Sequence, residues 1–130
     1  MNVLLGNQTY AASRGSGRVL KQRTTDNVFI FFSDHGSPGS ISFPNGFLYA
    51  DQLLTTLKEI DGTFSRLVFY LETCESGSMF LNLPESIGVY ALSAASPYEA
   101  SWATYCSPDD VIAGKHIGTC LGDLFSVSFI

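Results

Sequence analysis

Cys74 and His35 are the residues of this chain whose types and settings could do chemistry together. A thiol becomes a nucleophile when a neighbouring imidazole takes its proton or stabilises the thiolate, which is the general requirement of Cys–His catalysis. Cys74 lies in Glu72-Thr73-Cys74-Glu75-Ser76-Gly77-Ser78, and His35 in Ser33-Asp34-His35-Gly36-Ser37-Pro38-Gly39. Each stretch follows directly on an unbroken apolar run, residues 67–71 in one case and 28–32 in the other. The chain has only two histidines, so finding one in the matching setting favours a functional pair. Position alone leaves a structural thiol open, because free Cys is among the most buried residue types.

The elements that must position this pair follow from the apolar runs. A short continuous run that stops at a polar turn reads as a strand buried on both faces of a parallel sheet. Ligands of open α/β sheets bind outside the carboxyl ends of the strands, so two such strands would carry His35 and Cys74 to one rim. Parallel neighbours need a crossover. Asp51 reads as the cap of a helix with Leu53, Leu54, Leu57 and Ile60 on one face and Gln52, Thr55, Lys58 and Glu59 on the other, ended by Asp61-Gly62. Residues 76–83 read as a second helix, limited by Pro84, whose dipole would favour a thiolate at Cys74. Residues 89–94 give a third strand ending in small polar residues. Strand ends with chemistry-bearing loops at regular intervals predict a three-layer α/β fold.

The remaining segments say less. Residues 41–48 read as a hairpin around Pro44-Asn45-Gly46. Residues 1–27 are polar and Gly-rich, and Gly15-Ser16-Gly17 reads as a loop, since no strand leads into it and no Gly-Lys-Ser/Thr follows. Residues 125–130 alternate like a strand and then stop, which predicts a truncated chain. There are no internal repeats.

At 130 residues this is one domain's worth of chain. Charged residues make up 15% against roughly 25% in an average soluble domain, so much of the surface is expected to be hidden in a core or against missing neighbours. The net charge of -5 argues against a nucleic-acid or anionic-membrane partner. No apolar stretch approaches the roughly 18 residues of a membrane span, and Met1-Asn2-Val3-Leu4-Leu5 does not read as a signal peptide. Asn7-Gln8-Thr9 is the one glycosylation acceptor triplet. Cys106 and Cys120 bracket a loop rich in breakers and charge, as a disulfide-closed loop would be. Closure of a loop of about 15 residues is worth on the order of 3 kcal/mol in the chain-entropy model. That pairing leaves Cys74 as the odd thiol; three reduced cysteines is the other reading. No two cysteines have the spacing of a metal-ligand pair, and no cofactor is implied. His116, inside the same loop, reads as solvated.

The paired motifs around His35 and Cys74 resemble the legumain family, the asparaginyl endopeptidases also called vacuolar processing enzymes. The likeness extends to Gly15-Ser16-Gly17-Arg18-Val19-Leu20 and Cys120-Leu121-Gly122-Asp123-Leu124, and the Cys106–Cys120 loop looks most like the plant branch, whose members close a similar loop with a disulfide. A glycosylphosphatidylinositol transamidase subunit shares the His-Gly and Cys pattern but lacks Glu-Ser-Gly-Ser, and such a reading would need a membrane complex.

The resemblance implies a caspase-like, mostly parallel sheet and a cysteine peptidase acting after Asn, more weakly after Asp, on peptides and proteins with accessible Asn. Cys74 would be the nucleophile, His35 the proton-transfer partner, and the N–H groups of Gly36 and Cys74 the oxyanion site. Glu72 and Asp123 match acidic residues of the specificity pocket; read without the family, acidic residues at strand ends face water. Ser101 and Trp102 match a segment flanking the substrate, with Trp where Tyr or Phe is expected and Ala100 where Ser is usual. The family's upstream strands, which carry an Asn that orients the His and Arg and His residues of the pocket, precede the stretch matched here, and its C-terminal prodomain follows it. The expectation is therefore a partial domain whose strand at 28–32 is left as an exposed edge, belonging to an acidic vacuole or lysosome. The competing expectation is a catalytically inactive relative serving as a binding or scaffold module.

Overall fold

The computed structural model describes all 130 residues. In chain order the elements are α1 (Gln8–Arg14), β1 (Asn27–Ser33), β2 (Gly36–Ser37), β3 (Ser40–Phe43), β4 (Gly46–Tyr49), α2 (Ala50–Glu59), β5 (Arg66–Glu72), β6 (Val89–Ser93), β7 (Ala103–Thr104), β8 (Val111–Ile112), β9 (Lys115–His116) and β10 (Gly122–Asp123), with 3₁₀ turns at Ser76–Met79 and Ser126–Ser128. The central sheet is parallel in the order β1-β5-β6. The chain is thus α/β, with the expected strands, hairpin and crossover helix. β1 is an edge of that sheet, as expected. No helix is long and apolar enough to cross a membrane.

The core lies under one face of the sheet. Leu53, Leu57 and Ile60 of the α2 stripe are buried in one cluster with Leu67, Phe69 and Leu71 of β5, Ile41 from β3 and Met79 from the first 3₁₀ turn, and Leu54 of the stripe is buried as well. Each such side chain is worth about 1.5–3 kcal/mol on full burial, so helix and sheet fix each other and set the ends of β1 and β5 in register. The helix begins differently from the expectation. Tyr49, not Asp51, is the N-cap. The Gln52 side-chain oxygen accepts from Tyr49 N–H at 3.2 Å, and Asp51 sits in the first turn, accepting from Gln52 N–H at 2.8 Å.

The apolar runs are covered on one face only. Val28, Ile30 and Phe32 pack against the core cluster, whereas Phe29 and Phe31 on the opposite face are 57% and 41% exposed. That second face carries an aromatic cluster in place of a helical layer: Tyr70 meets the rings of Phe29, Phe125 and Phe129 at centroid distances of 5.3, 5.6 and 5.0 Å. The sheet with one helical layer stands, and a third layer is not part of this chain.

Three local expectations change. Residues 76–83 form no α-helix; only Ser76–Met79 turns, as 3₁₀. Ser76 and Gly77 are tied instead to Ala95, and Ser78 to Gly39, so the turn is built by bonds to other segments and is too short for a helix dipole at Cys74. Residues 125–130 close into a 3₁₀ turn rather than a strand, because Ser126 N–H is captured by Glu72 and the Ser128 hydroxyl by the Leu124 carbonyl. Serines bonding nearby backbone compete with ladder formation in this way. Finally, residues 8–14 within the Gly-rich start are helical, capped by the Asn7 side chain on Tyr10 N–H at 3.0 Å. No residue of α1 is buried, so it left no apolar period to read.

Candidate active site

The register of β1 on β5 brings the two motifs together. Ser33, the last residue of β1, pairs with Glu72, the last of β5. His35 and Cys74 each stand two residues further on, at the same rim of the sheet. Gly36 seals the junction. A β-carbon there would lie 2.5 Å from Thr73 Oγ1 and 2.8 Å from Thr73 Cβ, and closer still to the Cys74 carbonyl oxygen. The His35 loop can approach the Cys74 loop this closely only without a side chain at 36.

The backbone around Cys74 is arranged by bonds to other segments. Glu75, at φ 47°, sits in the left-handed region, a conformation a non-Gly residue keeps only when its surroundings impose it. Its N–H donates to Glu99 O at 2.8 Å, and Gly77 N–H to Ala95 O at 2.9 Å. The buried Ser76 hydroxyl accepts from Ala95 N–H at 3.0 Å. A β-carbon at Gly77 would meet Pro97 at 2.9 Å. Glu75, Ser76 and Gly77 therefore clamp the loop after β6. Cys74 N–H makes no hydrogen bond within the chain. Ser42 N–H donates to the His35 carbonyl at 2.9 Å, which by the alternation of an antiparallel ladder turns Gly36 N–H away from β3. Two adjacent donors are thus left for an acceptor outside the ladder.

Ser101 borders the thiol, and Trp102 follows it. Cys74 Sγ lies 4.0 Å from the Ser101 carbonyl oxygen. Trp102 is 69% exposed, and its carbonyl accepts from Leu124 N–H at 3.0 Å. Next to it, β7 pairs antiparallel with β10, setting Ala103 opposite Asp123. That pairing delivers Asp123 to Glu72. Contrary to the family-free reading, Glu72 does not face water; it is buried, its two carboxylate oxygens accepting from the Ser33 hydroxyl at 2.9 Å and Ser126 N–H at 2.7 Å. Burial pushes the Asp123 carboxyl above its ordinary value, and the charge of Glu72 and a hydrogen bond to it push the same way. Ser33 and Ser126, which hold Glu72, carried no signal in the sequence beyond lying near strand ends.

Cys106 and Cys120 form a disulfide across a separation of 14 residues, leaving Cys74 as the free thiol. His116 is not merely solvated. Its Nδ1 pairs with the buried Asp110 carboxylate at 2.7 Å, which also accepts from Gly118 N–H at 2.7 Å. The His116 hydrogen bond, then that of Gly118, hold the Asp110 carboxyl below the ordinary range. No group of three or more His, Cys, Asp or Glu side chains is arranged to hold a metal ion. A cleft of about 1000 Å³ lies between the N-terminal segment, the β3–β4 hairpin and α2. It is lined by neither histidine nor cysteine, so the rim and not the cleft is where thiol chemistry is available.

Comparison with known proteins agrees with the motif pattern. The model of the peptidase C13 family matches residues 1–130. The chain is 44% identical to a vacuolar-processing enzyme of Citrus sinensis over 98% of its own length, and 41% identical to the delta-isozyme of Arabidopsis thaliana over 99%. It is 47% identical to a hemoglobinase of Schistosoma japonicum over 90%. It spans about a quarter of the length of these curated relatives, 26%, 28% and 27% respectively. With a family match running from its first residue to its last, this chain belongs to the peptidase C13 family, the legumain family.

Proposed function

We propose that this chain is the catalytic core of a cysteine endopeptidase that cuts peptide bonds after Asn and more weakly after Asp. The observation that carries the reading is the common rim, where the one free thiol and His35 each stand two residues beyond paired strand ends, with Gly36 packed on the Thr73 side chain and the Cys74 carbonyl. His35 takes the Cys74 proton and the thiolate attacks the carbonyl carbon of the Asn residue. The N–H groups of Gly36 and Cys74 stabilise the oxyanion that forms. Collapse expels the amine, protonated by His35, and leaves a thioester; water, or an incoming amine, then releases the acyl group. Glu72 and Asp123 read the Asn carboxamide. A carboxylate accepts from the carboxamide N–H₂, and a carboxyl that holds its proton more tightly than usual, as Asp123 does, can donate to its oxygen.

The domain is a caspase-like one, completed on the aromatic face of the sheet and along the free edge of β1 by parts of the protein outside these residues. A vacuolar or lysosomal setting accords with relatives named vacuolar-processing enzymes. The test is mass-spectrometric analysis of a peptide pool with single Asn, Asp and Lys sites, incubated at acidic and neutral pH with the protein and its Cys74→Ala variant. Cuts after Asn that vanish in the variant are expected. Binding of peptides without cleavage, equal in both proteins, would favour the scaffold module instead.

A further inference from the structure

We infer that Ser78 is a positioning residue of the site, holding the His35 loop in place over Cys74; the inference rests on the Cys74–His35 reading above. The Ser78 hydroxyl oxygen accepts from Gly39 N–H at 2.8 Å. Gly39 is four residues beyond His35, and Ser78 four beyond Cys74, so this one bond links the far ends of the two loops whose near ends meet at Gly36. The Gly39 peptide is held from its other side as well, its carbonyl accepting from Ala50 N–H at 2.9 Å at the start of α2. Gly39 itself is at φ 74°, a turn conformation with little rigidity of its own.

Ser78 is not needed to keep the antiparallel β2–β3 hairpin on the molecule. Ile41 of β3 is 1% exposed in the core and anchors it. The hydroxyl instead fixes the rotation of the turn about that anchor, and His35, which is exposed and makes no side-chain hydrogen bond, depends on its backbone for placement. Ser78 N–H donates to Glu75 O at 2.9 Å, so the acceptor belongs to the same rigid turn that follows the nucleophile. Loss of the bond lets the imidazole drift relative to the thiol without exposing apolar surface.

The test is the pH dependence of Cys74 alkylation by iodoacetamide, which is selective here because the other two cysteines are paired. The His35→Ala variant defines the profile without an imidazole. Ser78→Ala is expected to move the profile toward that of His35→Ala and to slow alkylation near neutral pH about tenfold, as a small misplacement of a reacting group does. Ser78→Thr, which keeps the acceptor, is expected to restore the wild-type profile. Ser37→Ala, which cuts only the 2.8 Å Ser37–Ser40 bond inside the hairpin, is expected to leave it unchanged. A Ser78→Ala profile that superimposes on wild type, or a Ser37→Ala profile that matches Ser78→Ala, overturns the assignment while the Cys–His pairing stands. Coincidence of wild type and His35→Ala removes the pairing itself, and Ser78's role with it. Hydrogen exchange on the wild-type chain gives a reading independent of variant folding: Gly39 N–H is expected to be protected, and fast exchange there overturns the proposal.

Discussion

Gly36→Ala tests the proposed oxyanion site. The new β-carbon would start 2.5 Å from Thr73 Oγ1, and ordinary contact begins at 3.4 Å, a shortfall of 3.4 − 2.5 = 0.9 Å. Thr73 cannot turn aside. It is 1% exposed, and its hydroxyl donates to the Cys74 carbonyl at 3.0 Å. The backbone at 36 must therefore retreat by about the shortfall, which takes its N–H from hydrogen-bond distance of an oxyanion to beyond it. Loss of one oxyanion donor costs about 10²–10³ in kcat. Alkylation of Cys74 by iodoacetamide forms no oxyanion, so it should slow far less. The assay is kcat and KM on a fluorogenic peptide with a single Asn, beside the alkylation rate on the same samples. Hydrolysis within about threefold of wild type would refute this reasoning, as would equal losses in both rates, since donor loss is selective for the step that makes the oxyanion.

Other consequences concern stability and pH. Replacing Cys106 and Cys120 by Ser should lower stability by about 3 kcal/mol, the chain-entropy value for a loop of this size, read as a fall in the denaturation midpoint at unchanged slope. Asp110 has a lowered pKa through His116 and Gly118, so its contribution is in place above the ordinary carboxylate value of about 3.9 and is lost as pH falls through the lowered one. Asp110→Asn should remove that acid limb from the profile of Tm against pH; parallel profiles would contradict it. Asp123 is opposite in sign. Its raised pKa means the folded state holds the proton more tightly, and stability falls as pH rises through the raised value. Asp123→Asn should therefore gain on wild type with rising pH while losing selectivity for Asn over Lys.

The sequence was legible where burial writes a period or a motif. The α2 stripe of Leu53, Leu54, Leu57 and Ile60 named its own buried face, and the polar stops at Ser33 and Glu72 marked strand ends that the register then paired. Cys74 and His35 were legible because rare residue types stood at matching places. What was hidden depended on long-range bonds. Ser76 and Ser78 look like the start of a helix until their hydroxyls are seen bonded to Ala95 and Gly39. Glu72 looks solvated until Ser33, Ser126 and Asp123 surround it, and the exposed half of β1 reads as core because Phe29 and Phe31 are apolar whichever way they point. His116 gave no sign of Asp110, six residues away across the β8–β9 turn.

The central claim is that Cys74 acts as a nucleophile paired with His35 beside a pocket that reads Asn. Labelling by a peptide electrophile ending in Asn, with a matched electrophile ending in Lys and mass-spectrometric location of the adduct, tests it most directly. The account predicts one adduct, on Cys74, formed faster with Asn than with Lys and slowed strongly in His35→Ala. Labelling that ignores the Asn side chain and proceeds equally in His35→Ala would contradict it.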